Sequence, residues 1–328
     1  MKFLYTCDDN YVWLMGVSLI SLFENNRHMP ELEVYLLGEH ICDDNKEKLY
    51  SIGEKYHRQI HILDVEPDQY IPASIALTRW PLSAYTRLFA GELLPTSIEE
   101  ILYLDCDIVI EGEIEEFKID HKHIFWGVKD CVGKYYKENI GLKKDAVYVN
   151  AGVLFMDLNE LRKINITKSI ESFWQKYGKR ITYADQDVLN GMFAGKISFL
   201  PLKYNVMTIV ARYSMQDICK LRRPSNFYLK NEVVEAVRSP HIIHYTTNMR
   251  TIRPWYGDSN HPYVTIFRKY LAMSPWAERE LKNSNFNTLE GKEIEYIEKL
   301  PKELSYPLLG FVHAVLRPLL VRFKSFVS

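Results

Sequence analysis

The chain predicts an α/β fold: a mostly parallel central sheet flanked by helices. Three observations lead there. Residues 2–65 alternate between strand-like and helix-like patterns, and such alternation favours a parallel sheet with crossover helices. The strand-like runs are continuously apolar, as a sheet covered on both faces requires. Hydrophobic residues make up 47% of the 328, enough for a sizeable core.

Residues 2–7 read as the first strand and 11–23 as a helix that is apolar nearly all round, hence deeply buried. Residues 33–37 and 59–65 are further strands, with a polar surface helix at 43–56 between them. A loop at 72–81 leads to a helix at 82–94 that carries Arg87. An apolar strand at 101–104 follows, broken by Asp105-Cys106-Asp107 before apolar character resumes at 108–110. Residues 124–128 form a strand. The aperiodic stretch 129–147 has the character of a lid. The strand at 149–156 is interrupted by Asn150-Ala151-Gly152, small residues that imply a close approach to the backbone. Helical patterns fill 159–177 and 184–193. A short strand covers 197–200, and a late one, 241–245, contains His244.

The formal net charge of -1 argues against nucleic acid as a partner. Five dispersed cysteines without a Cys-X-X-Cys pair argue against a disulfide framework or zinc cluster and fit a reducing compartment. The N-terminus reaches acid at Asp8-Asp9, too soon for a signal peptide, so a cytoplasmic chain is expected.

Asp105 and Asp107 stand two apart at the end of a core strand, so their side chains face the same way. Buried carboxylates are costly unless paired or bound to metal. Together they can hold a hard divalent cation or merely form a solvated acidic turn. Asp8-Asp9-Asn10 can likewise cap a helix, and Asp185-Gln186-Asp187 can be only a helix N-terminus. All these breaks fall at predicted element ends, and open α/β sheets gather strand ends into one ligand crevice.

The motifs Asp8-Asp9-Asn10-Tyr11, Tyr85-Thr86-Arg87-Leu88, Tyr103-Leu104-Asp105-Cys106-Asp107, Asn150-Ala151-Gly152-Val153, Asp185-Gln186-Asp187-Val188-Leu189-Asn190 and His244-Tyr245 occur in that order. Over residues 1–256 the chain resembles glycosyltransferase family 8, the retaining, metal-dependent family that includes bacterial lipopolysaccharide galactosyl- and glucosyltransferases and glycogenin. The resemblance implies a GT-A type fold. It implies that Asp105, Asp107 and His244 bind Mn²⁺, with Mg²⁺ as the alternative, and that the donor is UDP-galactose or UDP-glucose. Asp8 and Asn10 would hold the uridine, with Cys7 and Cys106 nearby. Arg87, Asn150, Ala151, Asp185 and Gln186 would surround the donor sugar. Gln186 matches the position beneath the anomeric carbon; as an amide it is a poor nucleophile, which favours front-face substitution, with Asp185 as the alternative transient nucleophile. Many relatives have His-Tyr-X-Gly and then Lys-Pro-Trp, whereas here a longer loop without that glycine leads to Arg253-Pro254-Trp255. Arg253 is the candidate phosphate clamp and Arg250 the second. The acceptor implied is a glycan or glycolipid of lipopolysaccharide, capsule or cell-surface glycan. A non-catalytic nucleotide-sugar-binding protein is a second reading, and a nucleotidyltransferase a third; the latter lacks its glycine-rich phosphate loop.

The expected organisation is a catalytic domain at 1–260, a helical extension at 261–303 and a basic amphipathic tail at 304–328. The tail's uncharged run is shorter than the roughly 20 residues of a membrane span, so it is expected to lie in the inner face of the cell membrane.

Overall fold

The computed structural model describes residues 1–76, 82–249, 251–284 and 300–327. A seven-stranded sheet forms the centre: β1 (Lys2–Asp8), β2 (Glu33–Glu39), β3 (Gln59–Asp64), β4 (Glu100–Leu104), β6 (Phe125–Lys129), β7 (Val149–Asp157) and β8 (Ile197–Phe199). The order is β3-β2-β1-β4-β7-β6-β8. Neighbours run parallel except at β7, which is antiparallel to both β4 and β6. A second sheet is made of β5 (Ile108–Ile110), β9 (Val206–Met207) and β10 (Ile242–His244), in the order β5-β10-β9.

The apolar strands explain the two-sided cover. Phe3, Tyr5 and Cys7 of β1 enter one core together with Leu102 and Leu104, while Leu4 enters the other with Ile101 and Tyr103. Helix α1 (Val12–Asn25) packs into the first core and is buried from Val12 to Phe23, as its all-round apolarity requires. Ser18 and Ser21 are tolerated there because Ser18 meets Tyr5 Oη at 3.0 Å and Ser21 Oγ accepts from Ile110 N at 2.9 Å. Helix α2 (Asp43–Tyr56) buries only a narrow stripe.

Two expectations need correction. Residues 82–94 are not one α-helix: Leu82–Phe89 winds as 3₁₀ and only Ala90–Leu93 is α-helical. Tyr85 to Phe89 are all buried there, and Arg87 Nε takes the Ala84 carbonyl three residues back at 3.0 Å, so that oxygen serves the side chain. Residues 150–152 do not interrupt β7, whose nine residues are all buried and continuous. The Asn150 side chain satisfies its own strand, accepting from Gly152 N at 3.0 Å.

The tail is helical through Lys302–Phe311, a π-helical stretch Val312–Leu316, and Arg317–Val327. The wide turn precedes Pro318, which has no N–H to continue the ladder. Part of the tail's polar side meets the body. His313 is turned onto the body, where Tyr136 Oη donates to its carbonyl at 2.9 Å, and Arg322 Nε donates to Asn139 Oδ1 at 2.9 Å. Gly310 lies directly against the backbone of Lys220, leaving no room for a Cβ. The apolar side faces outward instead: Leu304, Leu308, Phe311, Leu319, Leu320, Phe323 and Phe326 are exposed.

One pH consequence follows from His261, which is 2% exposed and bonded to Thr208 Oγ1 at 3.2 Å. Burial, reinforced by Arg212, pushes its pKa down to about 4. The unfolded chain therefore binds the extra proton first, so stability falls as pH drops from about 6.5 to 4, by up to about 3 kcal/mol. His261→Gln is expected to flatten the decline of Tm across that window, measured by thermal melts; an unchanged slope would rule the histidine out.

Candidate active site

Asp105, Asp107 and His244 arrive from different places. Asp105 follows β4 in the large sheet, Asp107 precedes β5 in the small one, and His244 ends β10. Pairing of β5 with β10 sets His244 opposite Ile108, and Tyr245 N donates to Asp107 O at 3.0 Å. One ligand atom from each of the three lies within 4.8 Å of the others. His244 Nε2 is 3.2 Å from Asp107 Oδ1 and 3.6 Å from Asp105 Oδ2. Its Nδ1 faces Asn205 Oδ1 at 3.1 Å, which leaves Nε2 for the acids. Burial opposes charge on Asp107, yet His244 and then Arg253 hold its carboxyl below the usual range. Burial also opposes charge on His244, but Asp107 outweighs it and raises the imidazole pKa. Two carboxylates and an oriented imidazole form a donor set that suits a divalent cation.

Gly152 of β7 makes this convergence possible. A Cβ there would lie 2.2 Å from His244 Cε1 and 2.7 Å from Asp105 Oδ2. The close approach expected from the Asn-Ala-Gly run is therefore the approach of the acid–histidine group itself.

Arg87 is buried and holds several groups at once. Its Nη1 lies 2.9 Å from Asp105 Oδ1 and donates to Ala151 O at 2.7 Å. Its Nε donates to Ala84 O at 3.0 Å and is 3.2 Å from Asp185 Oδ2, without hydrogen-bond alignment to that oxygen. The guanidinium stacks 4.4 Å from the Tyr103 ring centroid, and Tyr103 Oη donates to Asp105 Oδ1 at 2.6 Å. Burial raises the Asp185 pKa to about 6, even though Arg87 pulls it back.

A cavity of about 210 Å³ opens on this group, lined by Cys7, Asp8, Arg87, Asp105, Cys106, Asp107 and Arg253 among others. Asp8 does not cap α1: the N-cap residue is Tyr11, whose side chain makes no capping bond. Asp8 Oδ1 is buried without a partner. Asp9 instead ties the turn to α2, accepting from Cys42 N at 2.9 Å and Asn45 Nδ2 at 2.8 Å. Asn10 is exposed and donates to Asp8 Oδ2 at 3.3 Å. Arg253 Nη1 is 3.6 Å from Asp107 Oδ2, and its guanidinium lies 5.0 Å from the Trp255 ring centroid. Arg250 lies outside the described residues.

Gln186 and Asn150 stand on a second cavity of about 180 Å³. The Gln186 amide is fully engaged. Its Oε1 accepts from Asn150 Nδ2 at 3.0 Å and Ala151 N at 3.1 Å. Its Nε2 donates to Asp130 Oδ2 at 3.1 Å and Tyr148 Oη at 3.3 Å. Asp187 anchors the turn before its helix, Ala184–Met192, accepting from Thr182 N at 2.7 Å and Tyr183 N at 2.8 Å.

The structure thus places Cys7, Asp8, Arg87, Asp105, Cys106, Asp107 and Arg253 on one cavity and Asn150 and Gln186 on another, linked through Ala151, whose carbonyl accepts from Arg87 and whose N–H donates to Gln186. Asp130, Tyr103 and Asn205 were not anticipated. Asp130 follows β6, so the strand-end rule that singled out Asp105 applies to it equally. Tyr103 reads as ordinary core, and Asn205 sits in a stretch with no pattern.

A family model described as "Glycosyl transferase family 8" matches residues 2–258. Lipopolysaccharide 1,2-glucosyltransferase of Escherichia coli (strain K12) is 28% identical over 287 residues, covering 84% of this chain and 78% of that protein. Lipopolysaccharide 1,3-galactosyltransferase of Salmonella typhimurium (strain LT2) is 25% identical over 294 residues, covering 85% and 80%. A crystal structure of the galactosyltransferase LgtC with donor and acceptor sugar analogs superposes with a TM-score of 0.67 at 22% identity, covering 84% of this chain and 96% of that one. That likeness carries the GT-A type fold.

Proposed function

The chain belongs to glycosyl transferase family 8, and on that footing we propose that it moves galactose or glucose from a UDP-sugar to a glycan acceptor with retention, giving an α-linkage. The acceptor class is a lipopolysaccharide, capsule or other cell-surface glycan, in keeping with the glycans that the names of similar proteins carry. The observation that carries this reading is the meeting of Asp105, Asp107 and His244 beside the cavity that also holds Asp8, Arg87 and Arg253.

Asp105, Asp107 and His244 would hold a divalent cation, Mn²⁺ or Mg²⁺, which when bound offsets charge developing on the departing diphosphate. Asp8, with its unpartnered buried oxygen, and Asn10 receive the uridine next to Cys7 and Cys106. Arg253 meets the diphosphate as a fork of donors. Arg87 fixes Asp105, Asp185 and the Ala151 carbonyl relative to one another, and so orients the sugar pocket. Gln186 has both oxygen lone pairs committed to Asn150 and Ala151, which supports a positioning role over a nucleophilic one. Front-face substitution follows, the acceptor hydroxyl losing its proton to the leaving phosphate. With Mn²⁺ and a panel of UDP-sugars, slow UDP release is expected from one of the hexose donors and not without metal; no release from any donor would sink this reading.

The tail supports a location on the inner face of the cytoplasmic membrane, as a domain apart from the catalytic 1–260 and the extension 261–303. Its apolar residues face outward while its inner side is held to the body, an arrangement suited to lying in a bilayer interface. Phe323→Ser together with Phe326→Ser is expected to lower partitioning to anionic vesicles at least about tenfold in a sedimentation assay, at about 0.8 kcal/mol per buried methylene. Unchanged partitioning would remove the tail from the membrane.

A further inference from the structure

The second cavity borders Gln186 and Asn150, and Asp130, Tyr183, Arg222, Thr246, Thr247 and Asn248 supply the rest of its polar lining. Arg222 Nη2 donates to Asn248 Oδ1 at 3.1 Å, and its Nη1 contacts His313 Nε2 from the tail. Neither partner is an anion, and no carboxylate forms an ion pair with Arg222 among the described residues. Asn248 is 2% exposed, and its amide nitrogen has no partner. Because Asn248 Oδ1 accepts from Arg222, the nitrogen is the end left to donate. Asp130, also on the wall, is already taken by Gln186 Nε2, Cys131 N and, at 3.5 Å, Asn150 Nδ2. A guanidinium with no carboxylate in ion-pair contact and a buried donor without an acceptor, on one cavity whose own carboxylate, Asp130, is bonded by neutral donors on the Gln186 side, suit an anionic ligand.

We propose that this cavity selects an acceptor bearing a phosphate or carboxylate close to the hydroxyl that is glycosylated, with Arg222 and Asn248 as its receptors and His313 as a positioning residue. The inference rests on the transferase reading of the adjoining cleft. His313 lies in the π-helical stretch, where the widened turn is packed onto the body with Tyr136 bonded to its backbone. The same helix that presents apolar residues outward therefore holds the acceptor-facing arginine in place.

The test titrates the full chain with glucose 6-phosphate, glucuronate and glucose by calorimetry. Glucose 6-phosphate or glucuronate is expected to bind at least about tenfold more tightly than glucose, the preference a charge-assisted bond provides. Arg222→Gln is expected to abolish that ratio and Arg222→Lys to keep part of it. His313→Phe should lower the ratio and His313→Gln restore it, because glutamine can still accept from Arg222; a purely structural histidine would shift all three affinities together. Equal affinities, no binding of either charged sugar, or a ratio that survives Arg222→Gln would overturn the proposal. A lipid headgroup is the other source of phosphate: if Arg222→Gln lowers binding to phosphatidylglycerol vesicles as much as it lowers glucose 6-phosphate binding, the arginine serves the membrane and the proposal fails. UDP release by the unaltered chain is scored separately, so its loss would count against the transferase reading and not against the anion preference.

Discussion

Asp107→Asn is expected to lower transfer and donor hydrolysis by about a thousandfold, equivalent to about 4 kcal/mol of transition-state stabilisation. The amide keeps the size of the carboxylate but removes the charge that faces both His244 Nε2 and Arg253 Nη1. Two basic groups then meet across a site whose acid held them apart, and a cation loses one of its two carboxylate donors. The fold should survive, because β5 is held by backbone pairing to β10 and not by this side chain. The checks are UDP release, Mn²⁺ affinity by calorimetry and thermal melting. Near-normal turnover with an unaltered metal requirement would show that the acids do not serve the reaction.

Gly152→Ala should have the second largest effect, and it acts without removing any functional group. The added methyl would sit 2.2 Å from His244 Cε1, so either the ring or β7 must move. Neither yields easily. His244 is buried and bonded through Nδ1 to Asn205, and Asp105 is fixed by Tyr103 and Arg87. Overpacking of this kind costs about 1–3 kcal/mol of stability. Turnover is expected to fall about a hundredfold, since a shift of an ångström at a reacting site carries that penalty. Gly127→Ala is the comparison: its Cβ would meet Val149 Cβ at 2.9 Å in the same sheet. It should lower Tm yet leave turnover per folded molecule intact. Equal loss of turnover in both would mean that the effect is only general sheet strain.

Much of the architecture was legible because apolar runs and their spacing carry it. The strand–helix alternation through residue 65, the buried α1 and the strand ends at Asp8 and Asp105 all follow from period and composition. The antiparallel insertion of β7 was not legible, since a fully buried strand reads the same in either direction. The 3₁₀ run at Leu82–Phe89 was not legible either, since over eight residues apolar spacing marks a helix without separating a 3₁₀ turn from an α turn. In the site, charged residues at element ends stood out, whereas Asn205, Tyr103 and Asp130 act through distances set by tertiary packing. In the tail, which side meets the body depends on neighbours, Tyr136 and Asn139, far away in the chain.

The division of the acid–histidine group between two sheets has a bearing on how the molecule matures. β1 to β4 and Asp105 belong to a sheet whose first half can assemble from early sequence, whereas His244 is delivered only when β10 closes against β5. Chain emerging N-terminal first therefore carries both acids well before it carries their third partner. Premature, loosely held cations at the bare acids would gain little, because tight capture waits for the last strand. Any cation that binds the completed group and not its parts acts as a clasp on the finished topology, shifting the balance toward the native state by mass action.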